Sequence, residues 1–150
     1  MLYRIGKAKV KIAGTIFFVV EEKFREGEMI GEVIIESIGE NFTEHFLQTV
    51  EGKIAEEVIF ANYLRKHANS SAIINFLGGE KKVAITVGQF WKCLVMARLE
   101  RKSWYIAYIR DKKGVLWATR ARLGKIGIRI EAKPLDDSHF WCPGDVFLSR

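Results

Sequence analysis

The sequence predicts an α+β fold, with antiparallel β-sheet packed against one long and one shorter α-helix. Three features carry that expectation. Both ends of the chain alternate apolar and charged residues with the period of two that a half-buried strand requires. The middle instead spaces its apolar residues at helical intervals. Glycine-containing turn signals separate the segments. At 150 residues, 49% of them hydrophobic, the chain is sized for one domain with a substantial core.

From the N-terminus, Ala8, Val10 and Ile12 alternate with Lys7, Lys9 and Lys11, so the first strand shows lysines on one face. Such lysines also keep a sheet edge from pairing with other chains, a role that needs no ligand. Gly14 offers a turn into a strand from Ile16 to Val20, and the charged stretch from Glu21 to Glu28 leads to a third strand near Met29 to Glu36. Asn41 suits the N-cap of a long helix from Phe42 to His67. Phe42, Phe46, Val50, Ile54 and Val58 recur every four residues along it, and Gly52 could divide it. Arg65, Lys66 and His67 would complement its C-terminal dipole.

Ser71 to Leu77 and Lys82 to Val87 flank Gly78-Gly79-Glu80-Lys81 and read as a hairpin. Thr86 and Gln89 match a capping box, which would open the shorter helix from Val87 to Arg101. Phe90, Leu94 and Ala97 face inward on it, with Lys92, Arg98 and Arg101 outward; Trp91 either packs as core or borders the surface.

Ser103 to Lys133 reads as a three-stranded antiparallel meander. Asp111 opens a type I turn and Gly114 supplies positive φ after it, which pairs Asp111 with Val115 and sets the register. One face then carries Tyr105, Ala107, Ile109, Trp117, Thr119 and Ala121. The other carries Trp104, Ile106, Tyr108, Arg110, Leu116, Arg120 and Arg122. In the third strand Ile126, Ile128 and Ile130 alternate with Lys125, Gly127, Arg129, Glu131 and Lys133, whose face joins the arginine-bearing one. Gly127 leaves a flat spot there for a base or a backbone. A slip of one residue would turn this face over. In the alternative arrangement a helix covers Trp104 and Tyr108, and the cations form a solvated rim.

The charge distribution points to the same half of the chain. Residues 1–79 hold 9 Lys and Arg against 11 Asp and Glu, whereas residues 80–150 hold 15 against 7. Between Lys81 and Lys133 there are 14 basic residues and only Glu100, Asp111 and Glu131 to oppose them. All four tryptophans, Trp91, Trp104, Trp117 and Trp141, also lie in the C-terminal half. Concentrated positive charge attracts a polyanion and releases its counterions. Aromatic faces let unpaired bases stack.

Other classes find less in the sequence. No apolar run approaches the roughly 20 residues of a membrane helix, and the spaced N-terminal lysines are unlike a leader peptide, so no membrane is expected and a cytoplasmic location is. Cys93 and Cys142 are too few for a disulfide framework and read as reduced thiols. Gln occurs only twice amid abundant Lys, Glu, Arg and Ile, a composition that leans towards a thermophile. There is no phosphate-binding glycine loop, no Gly-x-Ser-x-Gly elbow and no His-Glu-x-x-His, so no cofactor is implied. His139 and Cys142 stand three apart as two zinc ligands would, without the second pair that a closed site requires. Glu131-Ala132-Lys133 resembles the end of the PD-(D/E)xK nuclease motif. That family also needs an upstream acid near the end of a neighbouring strand. Asp111, the one candidate, falls at a hairpin tip too far from Glu131.

Taken together, the helix from Phe42 to His67 and the Trp104, Tyr108, Arg120 and Arg122 surface resemble the ThermoDBP group of archaeal single-stranded DNA-binding proteins. That resemblance implies a helical part clasped by a small antiparallel sheet, a basic aromatic cleft, sequence-tolerant binding and self-association. The residues themselves lead to a non-catalytic protein that binds single-stranded nucleic acid, and with the resemblance DNA is expected ahead of RNA. The expected contacts are Trp104, Tyr108, Arg110, Arg120, Arg122, Lys125, Arg129 and Lys133 on the sheet, with Trp91, Lys92 and Arg98 on the helix. A helix-led duplex reader, a homo-oligomer and a subunit with an acidic protein partner are the other partnerships the pattern allows.

Overall fold

The computed structural model describes residues 2–10, 17–52 and 57–150, and along them short helices interrupt the strands more often than periodicity predicts. β1 (Leu2–Val10) is the expected first strand. Lys11, Ile12, the Gly14 turn and Ile16 lie outside the described residues. β2 (Phe18–Val19) is brief, and the chain enters α1 (Val20–Lys23) instead of extending it. β3 (Met29–Ile30) and β4 (Val33–Ile38) form a hairpin about Gly31, whose φ of 60° is one that glycine adopts without strain.

The long helix from Phe42 to His67 does not form. α2 (Glu40–Phe46) ends after two turns, and β5 (Val50–Glu51) and β6 (Glu57–Leu64) follow. A spacing of four is two strand periods as well as nearly one helical turn, so Phe42 and Phe46 can be helical while Val58 is not. The hairpin predicted from Ser71 to Val87 is also absent. After β7 (Ala68–Asn69), the Asn69 side chain accepts the Ala72 N–H at 2.9 Å and starts α3 (Ser70–Phe76). Gly78 and Gly79, at φ 107° and 98°, then turn the chain into α4 (Glu80–Val83).

The second predicted helix forms as α5 (Val87–Met96), ending short of Arg101. Both halves of its capping box are made, Gln89 N–H to Thr86 Oγ1 at 3.1 Å and Thr86 N–H to Gln89 Oε1 at 3.0 Å. Glu51 adds its carboxylate, accepting the Val87 and Gly88 N–H groups at 2.8 and 2.7 Å. Burial pushes the Glu51 carboxyl upward in pKa while those hydrogen bonds oppose it.

The meander is the predicted one: β8 (Tyr105–Arg110), β9 (Leu116–Leu123) and β10 (Ile128–Pro134). Asp111 N–H donates to the Val115 carbonyl at 2.9 Å, and Gly114 sits at φ 82°. Asp111 Oδ1 accepts the Lys113 and Val115 N–H groups and Oδ2 accepts the Trp117 indole N–H, so the turn consumes this carboxylate. β11 (Phe140–Trp141) and β12 (Val146–Ser149) complete the chain.

Eight of these strands form one mainly antiparallel sheet, ordered β1-β6-β12-β8-β9-β10-β4-β3, in which the β12–β8 and β10–β4 pairs are parallel. Each face of it carries a core. On the inner face, Ala107, Ile109, Ala121, Ile128 and Ile130 pack with Phe42 and Phe46 of α2 and with Val87, Phe90 and Leu94 of α5. On the outer face, Ile106, Tyr108, Leu116, Ala118 and Phe147 are covered by Ile73 and Ile74 of α3, Val83 and Trp141. That outer cover stops partway across the sheet.

Candidate nucleic-acid interface

Beyond the edge of the cover, the outer face of β9 and β10 turns from alanine to charge. The register sets Arg122 opposite Arg129, Arg120 opposite Glu131 and Ala118 opposite Lys133, so their side chains share one face as predicted. Arg120 donates through Nε and Nη2 to a single Glu131 oxygen, at 3.1 and 2.7 Å. Its guanidinium carbon lies 3.9 Å from the centre of the Trp104 ring, and that of Arg122 lies 4.1 Å from the same centre. With 15% of its side chain exposed, Arg120 is the inner support of this group, stacked on Trp104 and also 5.7 Å from the Trp141 ring.

Trp104 is itself held from behind. Its N–H donates to Asp145 at 2.9 Å, and the other oxygen of that carboxylate accepts the Cys142 N–H at 3.0 Å. Trp141 anchors the neighbouring wall by donating its indole N–H to Ser70 Oγ at 3.0 Å. His139 sits edge-on to Trp141, with ring centres 4.7 Å apart. Burial lowers the His139 pKa first, and the charges of Lys133 and Arg120 lower it further against Asp136 and Asp145.

The other cations differ in how they are partnered. Arg129 pairs with Glu36 of β4 at 2.5 Å, and Glu36 also accepts the Ile126 N–H at 2.7 Å. The Arg129 hydrogen bond, followed by that of Ile126, holds the Glu36 carboxyl below its usual range. Arg122, Lys125 and Lys133 have no ion pair among the described residues, and Lys125 is exposed in the turn before β10.

Several expected contacts lie elsewhere. Tyr108 is fully buried under the outer cover, donating its hydroxyl to Ser70 Oγ at 2.9 Å, so it offers no ring to a base. The covering helices are what the hairpin reading of residues 71–87 could not supply. Arg110 stands at the far end of β8, bonded to the Gly114 carbonyl at 3.0 Å and to Glu80 at 3.1 Å. Trp91 and Lys92 belong to α5, on the opposite side of the sheet; Trp91 packs against Phe18, and Lys23 lies over its ring. Arg98, just beyond α5, is exposed and borders a cavity together with Trp104. The flat spot at Gly127 is already filled, since a Cβ there would lie 2.1 Å from the Ile34 carbonyl oxygen. It is the backbone of β4, not a ligand, that approaches.

His139 is the neighbour of this face that sequence reasoning missed, whereas Trp141, buried at 2% exposure, belongs to the cover. The run HFWCPG reads as a turn with a packed Trp141 as well as half a zinc site, and the histidine six residues after Lys133 was the available signal. Among the described residues no three His, Cys, Asp or Glu side chains are grouped to hold a metal ion. Glu131 is engaged by Arg120 and Asp111 by its own turn. Both cysteines are free, Cys142 exposed and Cys93 buried, with burial pushing the Cys93 thiol up to about 12.

Fold and site together define an α+β protein with a partly covered sheet whose open part is basic and aromatic. No helix among the described residues is long and apolar enough to cross a membrane. No family model, curated protein or solved structure matches the chain.

Proposed function

We propose that this protein binds single-stranded nucleic acid on the open outer face of β9 and β10, beside Trp104. The observation that carries the reading is the Trp104 ring with two guanidinium groups about it, at 3.9 and 4.1 Å, on a face that continues into Lys133 and Arg129. Arginine can stack as a plane and bond phosphate in the same pose. Arg122, Lys125 and Lys133 supply charge for the phosphates, while Arg120 orients Trp104 and Glu131. A surface of this kind suits unpaired bases, because a duplex hides the ring faces that Trp104 would meet. Of the features behind the ThermoDBP resemblance, the long helix is absent and Tyr108 is buried, so the resemblance does not choose between DNA and RNA and both strands enter the test.

The test is fluorescence anisotropy with labelled single-stranded DNA, single-stranded RNA and duplex, at two salt concentrations and with Mg²⁺ present. Salt-sensitive binding to a single strand, with the label intact, is expected. No binding at low salt would overturn the reading and make the basic face an interface for an acidic protein. Metal-dependent cleavage lost in both Glu131→Ala and Lys133→Ala would make the protein a nuclease instead.

A further inference from the structure

A cavity of about 370 Å³ opens beside the start of β8, and Trp104 forms part of both this cavity and the basic face. The register explains its walls. Tyr63 of β6 pairs with Val146 of β12, and Val146 pairs with Tyr105 of β8, so two tyrosines flank a valine in one row across three strands. Trp104, the residue before this row, borders the same space. Gly144 keeps it open: its φ is 101°, and a Cβ there would lie 3.0 Å from Ser103 Oγ and 3.7 Å from the Tyr63 hydroxyl. Arg98 and Glu100, both exposed, and the half-buried Ser103 line its other side.

This volume falls within the roughly 300–1,000 Å³ of small-molecule sites, and aromatic walls with a few polar groups are what such sites share. We infer that the cavity is a subsite for one unstacked nucleobase of a strand bound on the basic face. The inference rests on the single-strand reading for its ligand class. Tyr105 shares the inner face with Ala107 and Ile109, so the base turns past Trp104 at the start of β8 to reach these aromatic walls, while the phosphates stay on the basic outer face. The Glu100 carboxylate can accept two adjacent N–H donors while Arg98 donates to a carbonyl. Guanine, with N1–H and N2–H₂ beside O6, presents that edge, so guanine is the base expected to bind best.

The experiment uses the full chain and two kinds of probe. Free guanosine, adenosine, cytidine and uridine monophosphates are titrated while tryptophan fluorescence is followed. In parallel, a twelve-nucleotide DNA strand with one central guanine is compared with the same strand carrying an abasic site there. The variants are Val146→Phe, which fills the cavity, and Glu100→Gln and Arg98→Ala at its exposed rim, where folding is not at stake. Guanosine monophosphate is expected to bind most tightly of the four. Replacing the guanine by the abasic site, or Val146 by Phe, should weaken strand binding roughly ten-fold, as loss of one stacked base does. Glu100→Gln should reduce the preference for guanine.

Strand binding that is unchanged by the abasic site and by all three variants would overturn the subsite and leave the single-strand reading intact. Guanosine monophosphate binding that Val146→Phe abolishes, in a protein that binds no strand, would overturn the single-strand reading and support the cavity as a nucleotide site. Binding of no probe would overturn both.

Discussion

The outer faces of β8, β9 and β10 hold two neighbouring regions built on the same strands but with different fates. Around Tyr108, the residues Ile106, Leu116 and Ala118 are buried beneath α3, α4 and Trp141. Further along β9, Arg120 and Arg122 take the alternate positions that Ala118 begins, the cover ends, and both guanidinium groups lie about 4 Å from the Trp104 ring centre. The backbone offers both regions the same pleat and the same alternation. What differs is side-chain chemistry: a small apolar set can be dehydrated by a helix at little cost, whereas a row of cations cannot. The covered region is scaffold and the open region is the site, although both carry aromatic rings.

Five substitutions sharpen that contrast, beginning with the largest effect. Tyr108→Ala should destabilise the fold by about 3–5 kcal/mol, the range for emptying a large buried side chain, measured by urea unfolding. Tyr108→Phe removes only the hydroxyl bond to Ser70 and should cost about 1 kcal/mol. It should leave strand affinity unchanged, and a loss of affinity there would place Tyr108 back in the site. Next comes Gly127→Ala, whose Cβ would collide with the Ile34 carbonyl. A backbone contact cannot swing aside, so a loss of about 1–3 kcal/mol is expected, again by urea unfolding.

In the open region the effects move to binding. Arg122→Ala should leave stability within about 0.5 kcal/mol but lower affinity for every strand sequence alike. Loss of one phosphate contact should also reduce the slope of log affinity against log salt by about 0.7. The smallest effect concerns pH. Glu36 has its pKa lowered by Arg129 and the Ile126 N–H, so its folded value lies below its unfolded one. The stability it contributes is present above pH 4.5, its ordinary value, and is lost as the pH falls through the lower folded value. Melting temperature should therefore drop less steeply on acidification in Glu36→Gln than in the native chain.

The same two regions show what the sequence made legible. The meander could be read residue by residue because Asp111 and Gly114 form a turn of one geometry, and a turn of fixed length leaves one register. The α5 start was equally local, since Thr86 and Gln89 satisfy one another without tertiary help. The cover was not legible. Ser-Ser-Ala-Ile-Ile-Asn-Phe is rich enough in β-branched residues to read as a strand, and only the Asn69 cap marks it as the helix α3. The Phe42 to His67 reading failed for a different reason: a spacing of four fits a strand as well as a helix, and Val50 and Val58, which continue the series, are exposed while β6 buries Ile59, Asn62 and Leu64. Without those helices on the outer face, Tyr108 looked as open as Trp104. The Glu36 bond to Arg129 spans 93 positions and no local pattern could reveal it.

The most direct test of the account is the salt dependence of single-strand binding, compared between the native chain and the double variant Arg122→Ala, Lys133→Ala. Both cations lack an ion pair among the described residues, so neither is needed to neutralise a buried carboxylate. Native protein should bind a single strand in a salt-sensitive way, and the double variant should bind more weakly with a slope shallower by about 1.4, two phosphate contacts fewer. Equal affinity and equal slope in the two proteins would contradict the assignment of the open sheet face as the binding surface.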